Sequence, residues 1–319
     1  QWQGKIRVPF AIESTLSGVG KSLEPDQFLW YRRKIQVKKS GEGEDGGGDR
    51  ILLHFGAVDF RTMVFIGHDE VTDIPHEGGQ LPWTLDITDR VRDGENELLV
   101  CVWDPTDTFI NSRGKQSRNP TGCFYTRVSG IWQTVWMERV PERHIRGYKV
   151  STDIDNSTVK FDFDVVGKDD VVVKIDGVSQ SGESGESGEV MVKIPDAKLW
   201  SPEEPNLYKF TAKYGKDRIR GYFGMRKFEK RKDAKGVWRF FLNDKPYFVL
   251  GTLDQGWWPD GLYTPASYEA LKYDVIKLKE WGFDDYFVSD CWAIQDIHQN
   301  HHLIKKTIQK LQKRLLYQK

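Results

Sequence analysis

Residues 254 to 258 gather side chains suited to gripping a sugar ring. Asp254 and Gln255 can hydrogen-bond hydroxyls, while Trp257 and Trp258 offer flat faces for the apolar C–H side of a pyranose. A second polar set, Arg113 and Gln116, falls within the stretch from Asp104 to Tyr125, which is too long and too polar for an ordinary strand connection. Together these six residues are the candidate carbohydrate-binding set. Each group has a competing structural use. Trp257 and Trp258 either stack on a sugar or pack one module against another, and the 104–125 stretch either walls a sugar subsite or forms an interdomain clasp of ion pairs. The aromatic share of 13%, with 12 Trp, suits stacking platforms and large β-sandwich cores alike.

Other chemistries find less support. Asp254, Asp260, Asp284, Asp285 and Asp290 are acids whose spacing sets no two of them opposite one another, so no catalytic residue is assigned. His298, His301 and His302 would share a helix face, but no Cys or carboxylate ligand is fixed beside them, and neither a metal nor a cofactor is expected. The acidic, Gly-rich segments 42–49 (EGEDGGGD) and 181–189 (SGESGESGE) read as solvated hairpin loops rather than cation sites. Lys plus Arg equals Asp plus Glu at 47 each, which leaves no global field to attract nucleic acid or an anionic membrane. Three cysteines are too few for a disulfide framework, and Cys101 reads as core filling. No stretch is long and apolar enough for a transmembrane helix, and Gln1–Gly4 does not read as a signal peptide.

The elements that must position the candidate residues are mostly strands. Period-two alternation runs through residues 31–37, 51–58, 60–66, 83–87, 98–103 and 133–140, which predicts a β-sandwich of jelly-roll type over 1–141. In this reading residues 129–136 lead into a strand and place two Trp in its core. Shorter alternating runs at 159–165, 171–175, 190–194 and 208–214 predict an immunoglobulin-like sandwich over 142–226. After Arg226 the pattern changes to a hairpin around Asn243 and Asp244, a strand over 247–253, and a helix. That helix has Thr264 as N-cap, Pro265 at its first position, Leu271, Val275 and Leu278 on one face, and Gly282 at its end. Strand, polar loop and helix make the first unit of an α/β barrel or of an open α/β sheet.

Several segments then combine in order: Trp30–Arg33 (WYRR), His76–Gly79 (HEGG), Asp86–Thr88 (DIT), Arg113–Gln116 (RGKQ), Ser129–Trp136 (SGIWQTVW) and Leu253–Gly261 (LDQGWWPDG). With Trp200–Tyr208 (WSPEEPNLY) and Tyr222–Lys227 (YFGMRK), they resemble the N-terminal region of glycoside hydrolase family two, the β-galactosidase, β-glucuronidase and β-mannosidase group. The resemblance implies a retaining exo-glycosidase built from a sugar-binding jelly roll, an immunoglobulin-like sandwich and a (β/α)₈ barrel. Such an enzyme uses two barrel carboxylates about 5 Å apart, as nucleophile and general acid/base. In the family these are glutamates on barrel strands four and seven, whereas the family-like pattern here reaches only strand one and helix one. It breaks after Gly282, where Phe283, Asp284 and Asp285 follow.

The expected architecture is therefore mainly β and multidomain. A jelly roll spans 1–141, an immunoglobulin-like sandwich 142–226, a truncated (β/α)₈ barrel start 227–283, and an unrelated or misread tail 284–319. Within that tail, Ile304, Ile308, Leu311 and Leu315 lie among lysines in a basic amphipathic pattern expected to pack little. The expected function is that of the N-terminal part of a glycosidase, carbohydrate its partner, inactive by itself for want of the two glutamates. The alternatives are a non-catalytic carbohydrate-binding module and a sandwich-based interaction protein.

Overall fold

The computed structural model describes residues 2–39, 49–178, 182–183, 188–249, 252–282 and 287–288. The chain is mostly β, with several sheets, two large apolar cores and a small third cluster of Ala11, Val128 and Leu262 on which Trp132, Trp257 and Tyr263 pack. In the first unit, one sheet runs in the order Leu29–Val37, Gly94–Trp103, Arg61–Ile66 and Asp69–Glu70. The sheet facing it runs Val135–Val140, Arg50–Phe55, Trp83–Asp86. Alternation places Ile51, Leu53 and Phe55 inward from one sheet and Leu98, Val100 and Val102 inward from the other, and these residues meet in a single core. Cys101 is buried in the same strand, as its apolar surroundings required.

The second unit is built the same way. His144–Asp153, Thr158–Val166 and Glu189–Lys193 form one sheet; Gly182–Glu183, Val171–Ile175, Tyr208–Tyr214 and Asp217–Phe223 form the other. Phe161, Val173, Val190, Phe210 and Tyr214 fill the space between them. Phe161 and Phe210 touch with ring centroids 4.8 Å apart. Parts of the acidic segments 42–49 and 181–189, and the whole of 291–319 with its three histidines and basic amphipathic pattern, lie outside the described residues.

Three sequence expectations change. The run over 51–58 is two strands, Arg50–Phe55 and Val58–Asp59, because Gly56 and Ala57 turn the chain so that Val58 and Asp59 pair with Ile131 and Gly130. Trp136 does not enter the core. Val135 faces inward, so its neighbour faces out, where its ring stacks on His54 at 4.7 Å. The helix after the hairpin spans Tyr268–Glu280 and is capped by Ser267, whose side chain accepts from the Ala270 N–H, rather than by Thr264. Thr264 is occupied elsewhere: its hydroxyl lies 3.1 Å from the carbonyl of Pro9 and 2.5 Å from that of Trp132. Gly282 does follow the helix in the left-handed region at φ 87°, which a residue with a Cβ rarely adopts.

The hairpin sheet consists of Phe228–Lys232, Trp238–Leu242 and Lys245–Tyr247. Beyond it Thr252 and Leu253 pair in parallel with Phe287 and Val288. A second short strand thus follows the helix, past position 283.

Candidate functional site

Two short ladders and one loop carry the site. Gln116–Ser117 pairs in parallel with Tyr125–Thr126, so the 104–125 stretch closes on itself with Gln116 opposite Tyr125. Asp107 shapes that closure: its carboxylate accepts from Ser117 Oγ, the Arg118 backbone and Arg118 Nε, and stays below the usual carboxylate range through these bonds despite partial burial. The antiparallel pair of Val58–Asp59 with Gly130–Ile131 sets Asp59 beside it. The loop 254–264 then folds over both. Its Asp260 carbonyl accepts from Ser14 Oγ at 2.6 Å, and Trp258 and Leu262 exchange backbone hydrogen bonds across its narrow end.

Gln116 is the hub. It is buried, its Nε2 donates to Asp59 Oδ2 at 2.9 Å, its Oε1 accepts from the Val128 N–H at 2.6 Å, and its side chain meets the Tyr263 hydroxyl. Around it the rings are continuous. Trp257 stacks on Tyr125 at 4.6 Å and meets Tyr263 edge-on at 4.9 Å, and Tyr263 leans on Trp132 at 5.1 Å. The Tyr125 hydroxyl donates to Gln255 Oε1. Trp132 in turn donates from Nε1 to the carbonyl of Gly79, whose backbone runs so close to the Asp59 carboxyl that any Cβ there would overlap it.

The electrostatics follow from burial. Desolvation holds the Asp59 carboxyl well above the usual carboxylate range, and the nearby Asp104 raises it further, while the Gln116 hydrogen bond acts in the opposite sense. Asp104 is raised by burial too, against bonds from Ser129 Oγ and the Thr106 N–H. Glu13 is pushed up to about 7 by burial, although the Ser129 N–H donates to it. Burial and the Asp59 charge also raise the Tyr263 phenol, which therefore stays protonated. Asp59 Oδ1 and Arg113 Nε are buried without a hydrogen-bond partner among the described residues.

The six sequence-derived residues divide. Gln116, Gln255 and Trp257 come together. Arg113 precedes Gln116 on the same loop, with Gly114 between it and Lys115 lying near Tyr263. Trp258 serves the backbone bridge to Leu262. Asp254 is exposed and accepts from Gly256 N–H within its own turn. Asp59, Tyr125, Tyr263 and Glu13 were not singled out from the sequence. Asp59 did leave a signal, as a lone acid in the apolar run Ala57–Phe60. Among the described residues no group of three or more His, Cys, Asp or Glu is arranged to hold a metal ion.

Two β-sandwich units thus carry an aromatic and amide-rich cluster where the first meets the loop after a parallel strand. The model described as Glycosyl hydrolases family 2 matches residues 143–226. Over 245 residues the chain is 24% identical to the β-galactosidase of Thermoanaerobacter pseudethanolicus, covering 70% of this chain and 31% of that protein. Over 255 residues it is 25% identical to the β-glucuronidase of Sus scrofa, covering 70% and 38%. Among solved structures, an uncultured Clostridium sp. β-glucuronidase superposes with a TM-score of 0.63 at 25% identity, covering 86% of this chain and 46% of that one. The Faecalibacterium prausnitzii β-glucuronidase superposes with a TM-score of 0.67 at 20% identity, covering 89% and 50%. Residues 143–226 thus match glycosyl hydrolases family 2, and the chain is similar to these β-galactosidases and β-glucuronidases, of whose length it spans about a third to a half.

Proposed function

We propose that this chain is the N-terminal, sugar-binding part of a family-two glycoside hydrolase whose parent activity is hydrolysis of terminal β-linked sugars. In this reading the first unit is a jelly roll, the second an immunoglobulin-like sandwich, and residues 227–283 the start of a (β/α)₈ barrel. In this reading Gln255, Trp257 and Tyr125 face the sugar, and Arg113, Gln116, Asp254 and Trp258 belong to the two loops that carry them. The observation that carries it is the convergence of Gln255 and Trp257 from the loop after Leu253 with Tyr125 and Gln116 from the 104–125 stretch. Chemistry by this chain alone is not expected, because the mechanism needs two opposed carboxylates about 5 Å apart. The acids gathered here are Asp59, Asp104 and Glu13, which lie buried within the first unit and serve its internal hydrogen bonds.

Two measurements test the reading. Calorimetric titration with galactose and with glucuronate should show millimolar binding that Trp257→Ala removes, while Trp281→Ala, on the exposed end of the helix, leaves it intact. Assays on nitrophenyl β-galactoside, β-glucuronide and β-mannoside should show no turnover. Sugar binding unaffected by Trp257→Ala would sink the subsite, and turnover by the purified chain would sink the inactivity.

A further inference from the structure

The chain carries no net charge, yet one face of the second unit is of a single sign. In the sheet of Gly182–Glu183, Val171–Ile175, Tyr208–Tyr214 and Asp217–Phe223, the side chains that alternate with the core residues Phe210, Ala212, Tyr214 and Phe223 point outward. Those outward positions place Lys174, Lys209, Lys213, Arg218 and Arg220 on one exposed surface, with Tyr222 at its end, 67% exposed. Asp176 and Glu183 stand at its margins. By the usual strand spacings the surface extends about 10 Å across three strands and about 14 Å along them.

The register shows that this charge is kept against the interest of the sheet. Lys213 lies directly opposite Arg218, while Thr211 lies between Lys174 on one side and Arg220 on the other. Like charges directly opposite across a ladder destabilise it. On the outer faces of the other sandwich sheets, basic side chains meet acids on the neighbouring strand: Lys34 reaches Glu95 at 2.9 Å, Arg50 reaches Asp86 at 2.7 Å and Lys160 reaches Glu189 at 2.8 Å. None of the five cations of this face has an acidic partner among the described residues.

We propose that this face binds an acidic polysaccharide, with Tyr222 stacked on one ring and the five cations paired to the carboxylates of adjacent rings. None of its residues belongs to the aromatic cluster around Gln116, so it stands apart from the sugar site of the first unit. Charge complementarity picks out a polyanion, and shape narrows the choice. A four-stranded sheet is too broad for the groove of a double helix, which admits a helix or a two-stranded ribbon. Single-stranded nucleic acid stacks successive bases on several aromatic rings, whereas Tyr222 is the one ring this face exposes among the described residues. An anionic bilayer is held by apolar side chains set beside the charge, and around these cations the face offers Thr211 and the partly buried Val172 instead.

The test is affinity electrophoresis and calorimetry of the purified chain with polygalacturonate, set against neutral dextran, polyphosphate, a single-stranded oligonucleotide and phosphatidylserine vesicles. Polygalacturonate should bind, dextran should not, and the affinity should fall steeply between about 50 and 200 mM salt. Lys213→Glu should weaken binding at least about tenfold, while Lys193→Glu, the same charge change on the opposite sheet, should leave it within about twofold. Lys213→Glu sets an acid opposite Arg218, so this variant should melt no lower than the wild type, and lost binding is then not lost fold. Arg218→Glu makes the same pair the other way round and should behave alike. Tyr222→Ala should weaken polygalacturonate but not polyphosphate, and Trp257→Ala should alter neither. The proposal is overturned if polygalacturonate does not bind, if Lys213→Glu and Lys193→Glu act alike, or if Tyr222→Ala is silent. It is equally overturned if the oligonucleotide or the vesicles bind more tightly than polygalacturonate through the same residues.

Discussion

Gln116 shows what one buried amide does when neighbouring elements depend on it. Its two bonds tie Asp59 and the Val128 N–H, so Gln116→Leu keeps the shape but strands both partners. We expect a loss of about 2–4 kcal/mol in urea unfolding, and wild-type stability in that variant would mean the hub is dispensable. Gly79 is a sharper case. A Cβ at this position would overlap the Asp59 carboxyl, so Gly79→Ala should lower the melting temperature, whereas Gly78→Ala should act only through its positive φ. Of this cluster the sequence exposed Gln116 and Arg113, because polar residues in a long loop stand out. It hid Tyr263 and Tyr125, whose identity is ordinary and whose role lies in facing each other's partners across a long separation in the chain.

At the scale of elements, the helix Tyr268–Glu280 separates local from tertiary logic. Its end was legible, since Gly282 adopts the left-handed conformation a helix terminus needs. Its start lies three residues beyond the expected cap, because Thr264 and Ser267 are both good caps and only the fold shows that Thr264 is bonded to Pro9 and Trp132. Ser267→Ala should therefore cost the helix about 1 kcal/mol, seen as faster exchange in its first turn. Thr264→Val should leave the helix unchanged and instead loosen the 254–264 loop, read out as faster exchange at Trp258 and Leu262. The period-two strands were read almost to their ends. Trp136 was assigned to the wrong face because the Gly130–Ile131 ladder and the turn after it set the phase of the strand, and a turn's geometry is not visible in hydropathy.

For the whole molecule, the buried acids of the first unit couple its stability to pH. Glu13 has a folded-state value raised to about 7 from 4.5, so the folded state holds a proton that the unfolded chain releases. The stabilisation is complete below about pH 4.5 and is lost as pH rises through 7, by up to about 3 kcal/mol. Asp59 and Asp104, raised in the same direction, extend that loss. Unfolding free energy should fall between pH 5 and 7.5, and Glu13→Gln should flatten the slope; an unchanged slope would assign it to other groups. The helix adds an opposite kind of exposure: Leu271, Val275 and Ile276 are each 44% exposed, leaving its apolar face uncovered among the described residues.

The 254–258 cluster was visible as chemistry before any fold was known, because tryptophans beside an acid and an amide are informative as residue types. So were the two sandwiches, since alternation of apolar and polar residues is a local property of the chain. Which members of the cluster converge was settled by tertiary structure. Asp254 turns back onto Gly256 while Gln255 and Trp257 reach Tyr125. The raised carboxyl of buried Asp59 was settled there as well, because desolvation belongs to the packed neighbourhood of a residue and not to its place in the sequence.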